Sequence, residues 1–417
     1  MSENKLNFAA YVGIDWADKK HDIVLRIKGS DELEYLQLIH SSETIDEWAN
    51  QLRERFGNQQ IAVCLEQRKG PLIYALTKYD HLCLFPINPL MLAKYRRAFS
   101  PSGAKDDPTD AALILDLLLH HQEKLEVWLP DDPSTRELRQ LAESRRRLVG
   151  MRIQVTNQLT ANLKGYFPQA LDSFDSIDTI LACDFLQKWD CLDKVKRVQQ
   201  NTLHTFYQQH GVRSQDLING RINGLKSAVN LTSDKGVVLP SIALTQALVA
   251  QLRPLIDSIH KYEQSINARF KVHPDAYIFN SLPGAGPTFA PRLLVAFGSD
   301  RDRFSCAKSV QQYAGIAPVM ERSGKSSWVH WRYSCPSFIR QSFVEWAGIS
   351  MRYSFWAKSY YDCQRDKGKS HNVAVRALAF KWIRIIYRCW KNHTEYDESK
   401  YLFALKRNNS PLMKYMT

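Results

Sequence analysis

The stretch at residues 11–25, YVGIDWADKKHDIVL, decides how the first third of the chain is read. Its apolar run Tyr11-Val-Gly-Ile14 ends on Asp15, and a second strand-like run follows. A sheet presents a carboxylate at its rim in this way. Residues 61–65, IAVCL, form a buried-type run that ends on Glu66 in the same manner. Two acids at the ends of neighbouring central strands predict a shared site. Around them the chain alternates strand-like pieces (HDIVLRIKG, EYLQLIHS, HLCLFPINP) with a helical TIDEWANQLRERFG. This is α/β patterning.

From about Pro133 the texture changes. Residues 134–167, STRELRQLAESRRRLVGMRIQVTNQLTANLKGYF, keep a helical period and carry Arg139, Arg145, Arg146, Arg147 and Arg152, so one long basic helix is expected. Residues 241–270 are helical again. The two helices bracket an irregular insert near 170–240, with turn-rich NLTSDKGVVLP at its end, and are expected to pair antiparallel as a coiled-coil arm. The remainder is helix-rich, aromatic and basic. The fold class is therefore α/β plus all-α, in three parts: 1–132, 133–275 and 276–417.

The chain has 417 residues, 44% of them hydrophobic, and a formal charge of +13. That surplus favours a polyanionic partner, with nucleic acid leading. No apolar run of spanning length stands out and the start is not a signal peptide, so no membrane association is expected. Eight cysteines without a Cys-x-x-Cys pair read as reduced thiols of a cytoplasmic protein.

A third acidic element lies in AKDDPTDAALILDLLLHH, residues 104–121. Asp107 and Asp110 are three apart at a helix start and share a face. Asp107 before Pro108 also reads as an N-cap, and Asp110 as a partner of the helix dipole. With Asp15 and Glu66 added the balance tips to metal, because two like charges about 4 Å apart repel by roughly 4 kcal/mol at an effective dielectric of 20. A pair of Mg²⁺ ions, or Mn²⁺, held by these hard oxygens would neutralise the cluster and hold a phosphodiester.

Residues 320–328, MERSGKSSW, contain Gly-Lys-Ser but no P-loop, since the second glycine such a nest needs is Val319. LPGAGPTFA offers Gly284 and Gly286 before a helix, suited to a backbone phosphate or to a tight turn opened by Pro287. Trp328, His330, Trp331, Arg332 and Tyr333 interleave rings and cations, a pattern that serves base stacking but is more commonly core.

Strand-end acids followed by a late helical pair resemble the RNase-H-like (RuvC-like) fold of Holliday-junction resolvases. The set YVGIDWADKKHDIVL, CLEQ, KDDPTDA, the Arg-rich helix and residues 281–327 resembles more specifically the DEDD transposases of the insertion-sequence family one-ten. The resemblance implies a recombinase guided by a bridge RNA, acting on donor and target double-stranded DNA in a bacterial or archaeal cell. It puts the acids at Asp15, Glu66, Asp107 and Asp110 and a nucleophilic serine at Ser323, acting at one composite site with Arg322 or Lys325 as charge stabilisers. Ser326 and Ser327 are rivals, because the chain reads Ser-Gly-Lys where the family often has Ser-Gly-Gly. Asp106 adds an acid where the family commonly has Thr or Ser, and Arg340 keeps a basic position within CPSFIRQ. Nucleic-acid contacts are expected at Arg145, Arg146, Arg147, Arg152, Gly284, Gly286, Arg322, Lys325, Arg332 and Arg340. The assembly implied is a dimer of dimers. The competing readings are a metal-dependent junction nuclease that uses water, and a non-catalytic nucleic-acid-binding protein.

Overall fold

The computed structural model describes residues 7–67, 70–99, 107–324 and 326–415, with the side chains of 99 and 107–109 left out. The chain divides into two compact units, Met1–Pro130 and Asp131–Thr417.

In the first unit β1 (Ala10–Asp15), β2 (Lys20–Ile27) and β3 (Leu33–Ile39) form an antiparallel meander. The strands β4 (Ile61–Leu65) and β5 (Leu82–Pro86) add in parallel on the other side of β1, giving the order β3-β2-β1-β4-β5. Every residue of β4 is buried, as expected of a parallel strand covered on both faces. By contrast β3 alternates exposed positions with the half-buried Glu34 and Leu36 and the buried Leu38, the pattern of an edge. Helix α1 (Ser42–Arg55) starts where Ser41 Oγ accepts the Thr44 N–H at 3.2 Å, and it packs Ile45, Trp48 and Leu52 in one core with Val12, Ile14 and Val63. After α2 (Pro71–Leu76) and α3 (Pro89–Phe99), α4 (Asp107–His121) covers the opposite face, setting Ile114, Leu117 and Leu118 against Phe8, Ala62, Cys64 and Phe85.

The crossing of α4 over β1 is unusually close. A Cβ on Gly13 would lie 2.4 Å from the Ala111 carbonyl oxygen and 2.6 Å from the Leu115 nitrogen. Helix backbone rests directly on strand backbone there, a use of glycine in a strand that no other residue can supply.

The second unit is framed by α5 (Pro133–Tyr166) and α10 (Lys235–Lys271). Arg269 pairs with Glu137, Arg145 with Glu263, and Asn162 with Ser241 and Thr245, so the two helices run antiparallel in register. The insert between them is ordered, with a 3₁₀ turn (Pro168–Ser173) and α6 (Ile180–Lys188), α7 (Leu192–Arg197), α8 (Gln200–Gln209) and α9 (Gln215–Ser227) around Phe185, Phe206 and Tyr207. The turn-rich segment before residue 240 is where the sequence reading differs from the structure. Asp234 caps the helix, accepting the Gly236 N–H at 2.8 Å, and α10 continues through Pro240 and Pro254. Packing on α5 and α6 compensates for the backbone bonds these prolines cannot make. By length and composition alone α10 is also apolar enough to cross a membrane, which the sequence reading missed. Its apolar positions Leu248, Val249 and Leu252 are buried against the helical insert, and Ile266 and Phe270 in the following core.

That core is built from α11 (Ala276–Asn280), α12 (Gly286–Phe297), α13 (Ala307–Tyr313), α14 (Ser337–Ser350), α15 (Phe355–Asp366), α16 (His371–Lys391) and α17 (Glu398–Arg407), with Trp346, Trp356, Trp382 and Trp390 fully buried. Between α13 and α14 runs a two-stranded antiparallel ribbon, β6 (Val319–Ser323) and β7 (Ser326–His330).

The Gly13 contact yields a prediction. Gly13→Ala is expected to destabilise the first unit by about 1–3 kcal/mol, the usual cost of overpacking. A lower urea midpoint with unchanged slope would show it, and an unchanged midpoint would mean that α4 can lift off β1 at no cost.

Candidate active site and nucleic-acid interface

The parallel register pairs Tyr11 with Ala62, Gly13 with Cys64 and Ile14 with Leu65. One step further sets Asp15, the last residue of β1, beside Glu66, the residue after β4. Adjacent strands lie about 4.8 Å apart. The alternation of β1 puts Asp15 on the face of Gly13, and Glu66 follows at the rim where the chain bends out of β4, the Gln67 N–H bonding the Leu65 carbonyl at 2.9 Å; both acids are half-buried. The face of Gly13 is the one α4 covers, and the helix start bearing Asp107 and Asp110 stands on it. The sequence expectation of strand-end acids is thus met for Asp15 and Glu66. The Asp107 side chain and all of Asp106 lie outside the described residues. Among the described residues no group of three His, Cys, Asp or Glu side chains is gathered closely enough to hold a metal ion. The oxygen-only donor type suits Mg²⁺ or Mn²⁺, and two of its donors share a rim.

Asp110 is 1% exposed and does not stand alone. Arg96, from α3, donates Nε to Oδ1 at 2.7 Å and sets Nη2 2.5 Å from Oδ2, a two-pronged pair. The sequence reading did not foresee this partner, since α3 and α4 are separated by residues whose path cannot be read from a pattern. It also missed Asp22, which lies opposite Asp15 in the antiparallel register, is 9% exposed, and accepts the Gln37 Nε2–H at 2.8 Å. Beside it His21 is fully buried; its Nδ1 accepts the Ala17 N–H at 3.3 Å and its Nε2 lies 3.0 Å from His40 Nδ1. Burial, with His40 nearby, pushes this imidazole down to about 4, so it is neutral at ordinary pH and its Nε2 proton faces His40. The pair ties down the turn that leaves Asp15.

In the second unit Ser323 ends β6 and faces Ser326 across a two-residue turn at Gly324, whose φ of 57° suits glycine. The expected loop is therefore the tip of an exposed ribbon, and Lys325 lies outside the described residues. Pairing in register puts Ser323, Ser326, Glu321, Trp328 and His330 on one face and Arg322 with Ser327 on the other. On the serine face Glu321 accepts from Trp328 Nε1 at 2.9 Å and meets His330 Nε2 at 2.7 Å. Hydrogen bonds to the Trp331 carbonyl and to Glu321 raise the His330 pKa.

The aromatic cluster beyond the ribbon is not core. Trp328 is 49% exposed, Trp331 41% and Tyr333 80%, which overturns the burial expected for such rings. The reason is local: a two-stranded ribbon has no second layer to cover its faces. The Arg376 guanidinium lies over the Trp331 ring and that of Arg340 is 5.5 Å from the same ring. Burial and the charge of Arg340 push Arg376 down to about 10, still cationic. Arg332 is half-buried and Arg322 exposed. On α5, Arg147 is exposed, whereas Arg145 pairs with Glu263, Arg146 donates to Gln341 Oε1 at 2.8 Å, and Arg152 lies 3.4 Å from Asp178. Gly284 and Gly286 both have positive φ, at 68° and 48°. A Cβ on Gly284 would strike the Tyr353 ring at 2.6 Å, so the tight-turn reading holds there, with Pro287 in the first turn of α12.

Comparison with known proteins adds two family matches. A DEDD model of the IS110 kind, described as "Transposase", matches residues 12–168, and "Transposase IS116/IS110/IS902 family" matches residues 276–362. A Streptomyces coelicolor protein called "Mini-circle putative transposase for IS117" is 27% identical over 409 residues, covering 94% of this chain and 97% of that protein. From the same organism, "Insertion element IS110 uncharacterized 43.6 kDa protein" is 25% identical over 374 residues, 87% of this chain and 89% of its own length. The "Pilin gene-inverting protein" of Moraxella bovis is 30% identical over 146 residues, 33% of this chain and 44% of its own length.

The Arg96–Asp110 pair can be tested on stability. Arg96→Ala leaves a buried carboxylate without its cation and is expected to cost about 3–5 kcal/mol. Adding Asp110→Ala should recover part of that loss in a double-mutant cycle, and a full cost in both singles with no coupling would remove the pair from the account.

Proposed function

The chain belongs to the IS116/IS110/IS902 family of transposases, and from that premise we propose that it excises and inserts a mobile element by DNA strand exchange guided by a structured bridge RNA. The observation that carries the reading is the pair Asp15 and Glu66, at register-neighbouring ends of parallel strands on the face crossed by α4. With the order β3-β2-β1-β4-β5 it supports an RNase-H-like (RuvC-like) first unit, in which Asp15, Glu66 and Asp107 hold Mg²⁺ or Mn²⁺ and Asp110 joins them only when its carboxylate exchanges Arg96 for the ion. A bound divalent ion there would supply charge neutralisation for a phosphodiester under attack. Within the second unit the helical pair α5–α10 and its insert form an arm, followed in the chain by a C-terminal transposase domain.

Ser323 is the nucleophile. Its Oγ forms a bond to phosphorus as the hydroxyl proton passes to solvent, the P–O bond to the leaving deoxyribose oxygen breaks, and that oxygen takes up a proton from solvent, so that one phosphodiester replaces another. Exposure at a ribbon tip lets a duplex backbone reach the hydroxyl, while Arg322, on the opposite face with Ser327, is placed to meet the charge of a flanking phosphate rather than of the one under attack. Ser326 shares Ser323's face and is its nearer rival, while Ser327 looks away.

The +13 charge and the exposed rings at Trp328, Trp331 and Tyr333 support contacts to both duplex and unpaired nucleic acid. A relative named for gene inversion supports the rearrangement of DNA segments as the outcome. Two duplexes held for exchange call for a multimer, a dimer of dimers, working in the cytoplasm at the nucleoid.

On a half-site DNA with divalent metal, wild-type protein is expected to form a covalent adduct that mass spectrometry maps to Ser323. Ser323→Ala should lower exchange by about 10³-fold or more, with Asp15→Asn and Glu66→Gln equally inactive yet folded. Adduct on Ser326 would move the nucleophile. Cleavage by Ser323→Ala at the wild-type rate would favour a water-using junction nuclease, and binding without any cleavage would favour a non-catalytic protein.

A further inference from the structure

Where α5, α10, α12 and α14 meet, the second unit encloses a cavity of about 150 Å³. Three guanidinium groups line it: Arg145 and Arg146 from α5, and Arg292 from α12. Gathering three cations around one small hollow is costly, because each repels the others at reduced dielectric. Two carboxylates offset part of this: Glu263 pairs with Arg145, and Glu345 lies 2.8 Å from Arg292 Nη1, but both acids are about 40% exposed. The arrangement keeps a surplus of positive charge.

Arg292 is the unusual member. It is 8% exposed, its Nε donates to Ser342 Oγ at 3.0 Å, and its plane is sandwiched near the rings of Phe289 and Phe338. Its Nη2 is buried with no hydrogen-bond partner. A charged donor left without an acceptor is expensive, and such groups in native proteins point to something that completes them. Burial holds the Arg292 pKa below its usual value, and the charges of Arg145 and Arg146 add to the effect.

The first turn of α12 supplies a second, independent feature. Pro287 and Thr288 line the same cavity, and no side chain caps this helix of 12 residues. A helix N-terminus carries partial positive charge, which suits an anion, and since Pro287 has no N–H the amide of Thr288 is the donor at hand. We propose that this cavity is a phosphate-binding site, in which Arg292, Arg146 and the start of α12 close around one phosphate group. Its source is the sugar–phosphate backbone of a bound nucleic acid, and for that source alone the inference rests on the function proposed above. The site gives Arg145 and Arg146 a joint role and adds Arg292, which nothing in the sequence pattern marks: within the apolar run of α12 it reads as one stray cation.

The test uses the full chain with inorganic phosphate by calorimetry, and with duplex DNA and structured RNA at several salt concentrations. Wild-type protein is expected to bind phosphate, with Arg292→Lys and Arg146→Ala each weakening it about tenfold or more. Arg146→Ala, on the rim, guards against a misfolded Arg292 variant. For nucleic acid the same variants should weaken binding evenly across sequences and lower the slope of log K against log salt by about one. Phosphate binding lost in the variants, with nucleic-acid slopes unchanged, keeps the site and makes a free phosphate ester its ligand. Phosphate binding by a wild-type chain that binds no nucleic acid would keep the site and overturn the proposed function. No phosphate binding, or equal binding by wild type and both variants, overturns the inference while leaving the strand-exchange reading intact.

Discussion

The backbone of α4 rests on Gly13, and the first unit is organised by that contact. With any side chain at residue 13 the helix would have to rise or slide, because the Ala111 carbonyl already stands 2.4 Å from where a Cβ would be. Gly13 is two residues before Asp15 and on the same face, so the approach that lets the helix down also fixes its first turn near the strand rim. Cys64 opposite it is buried, and Glu66 follows at that rim where the chain bends out of β4. Acids that would repel one another in any accidental grouping are thereby made neighbours by the fold. Asp110 shows how the charge is managed within the protein, since a fully enclosed carboxylate has its two oxygens met by one guanidinium, Arg96.

In the second unit the cations divide between structure and surface. Asp131 takes both Arg139 and Arg303, and Asp275 takes Arg301, all at half-buried or buried positions. The 56 Lys and Arg therefore overstate the cations an anion would meet, although the net surplus of +13 already counts the acids that pair with them. What remains outward includes Arg147, Arg322, Arg384 and Arg388, together with the rings of the ribbon. Along α16 the split is visible in one element: Trp382, Ile383 and Ile386 are core, Arg384 and Arg388 are exposed, and Lys381 is half-buried near Tyr360, its pKa lowered by burial.

Much of the architecture was legible because burial writes a period into the chain. The runs ending at Asp15 and Glu66 are continuous and apolar, and β1 and β4 end there or one residue earlier. The start of α5 was legible as a change of texture at about Pro133; the structure adds Asp132 as its cap, with Pro133 in the first turn. Other features left no such mark. The β6–β7 ribbon is exposed on both faces, so residues 319–330 carry no alternation, and only Gly324 hinted at a turn. Pro240 and Gly236 read as breakers because propensity cannot register the packing of α10 on α5. Partners such as Arg96 for Asp110, Gln37 for Asp22 and Glu345 for Arg292 depend on register and helix placement, which single-sequence patterns do not encode.

The central claim is that Asp15 and Glu66 belong to one hard-oxygen site. Titration of the protein with Mn²⁺, followed by electron paramagnetic resonance of the free ion, tests it without requiring turnover. Bound Mn²⁺ is expected for the wild type and for Ser323→Ala, and its loss for Asp15→Asn and for Glu66→Gln, each folded by circular dichroism. Mn²⁺ held equally well by both acid variants would contradict the account.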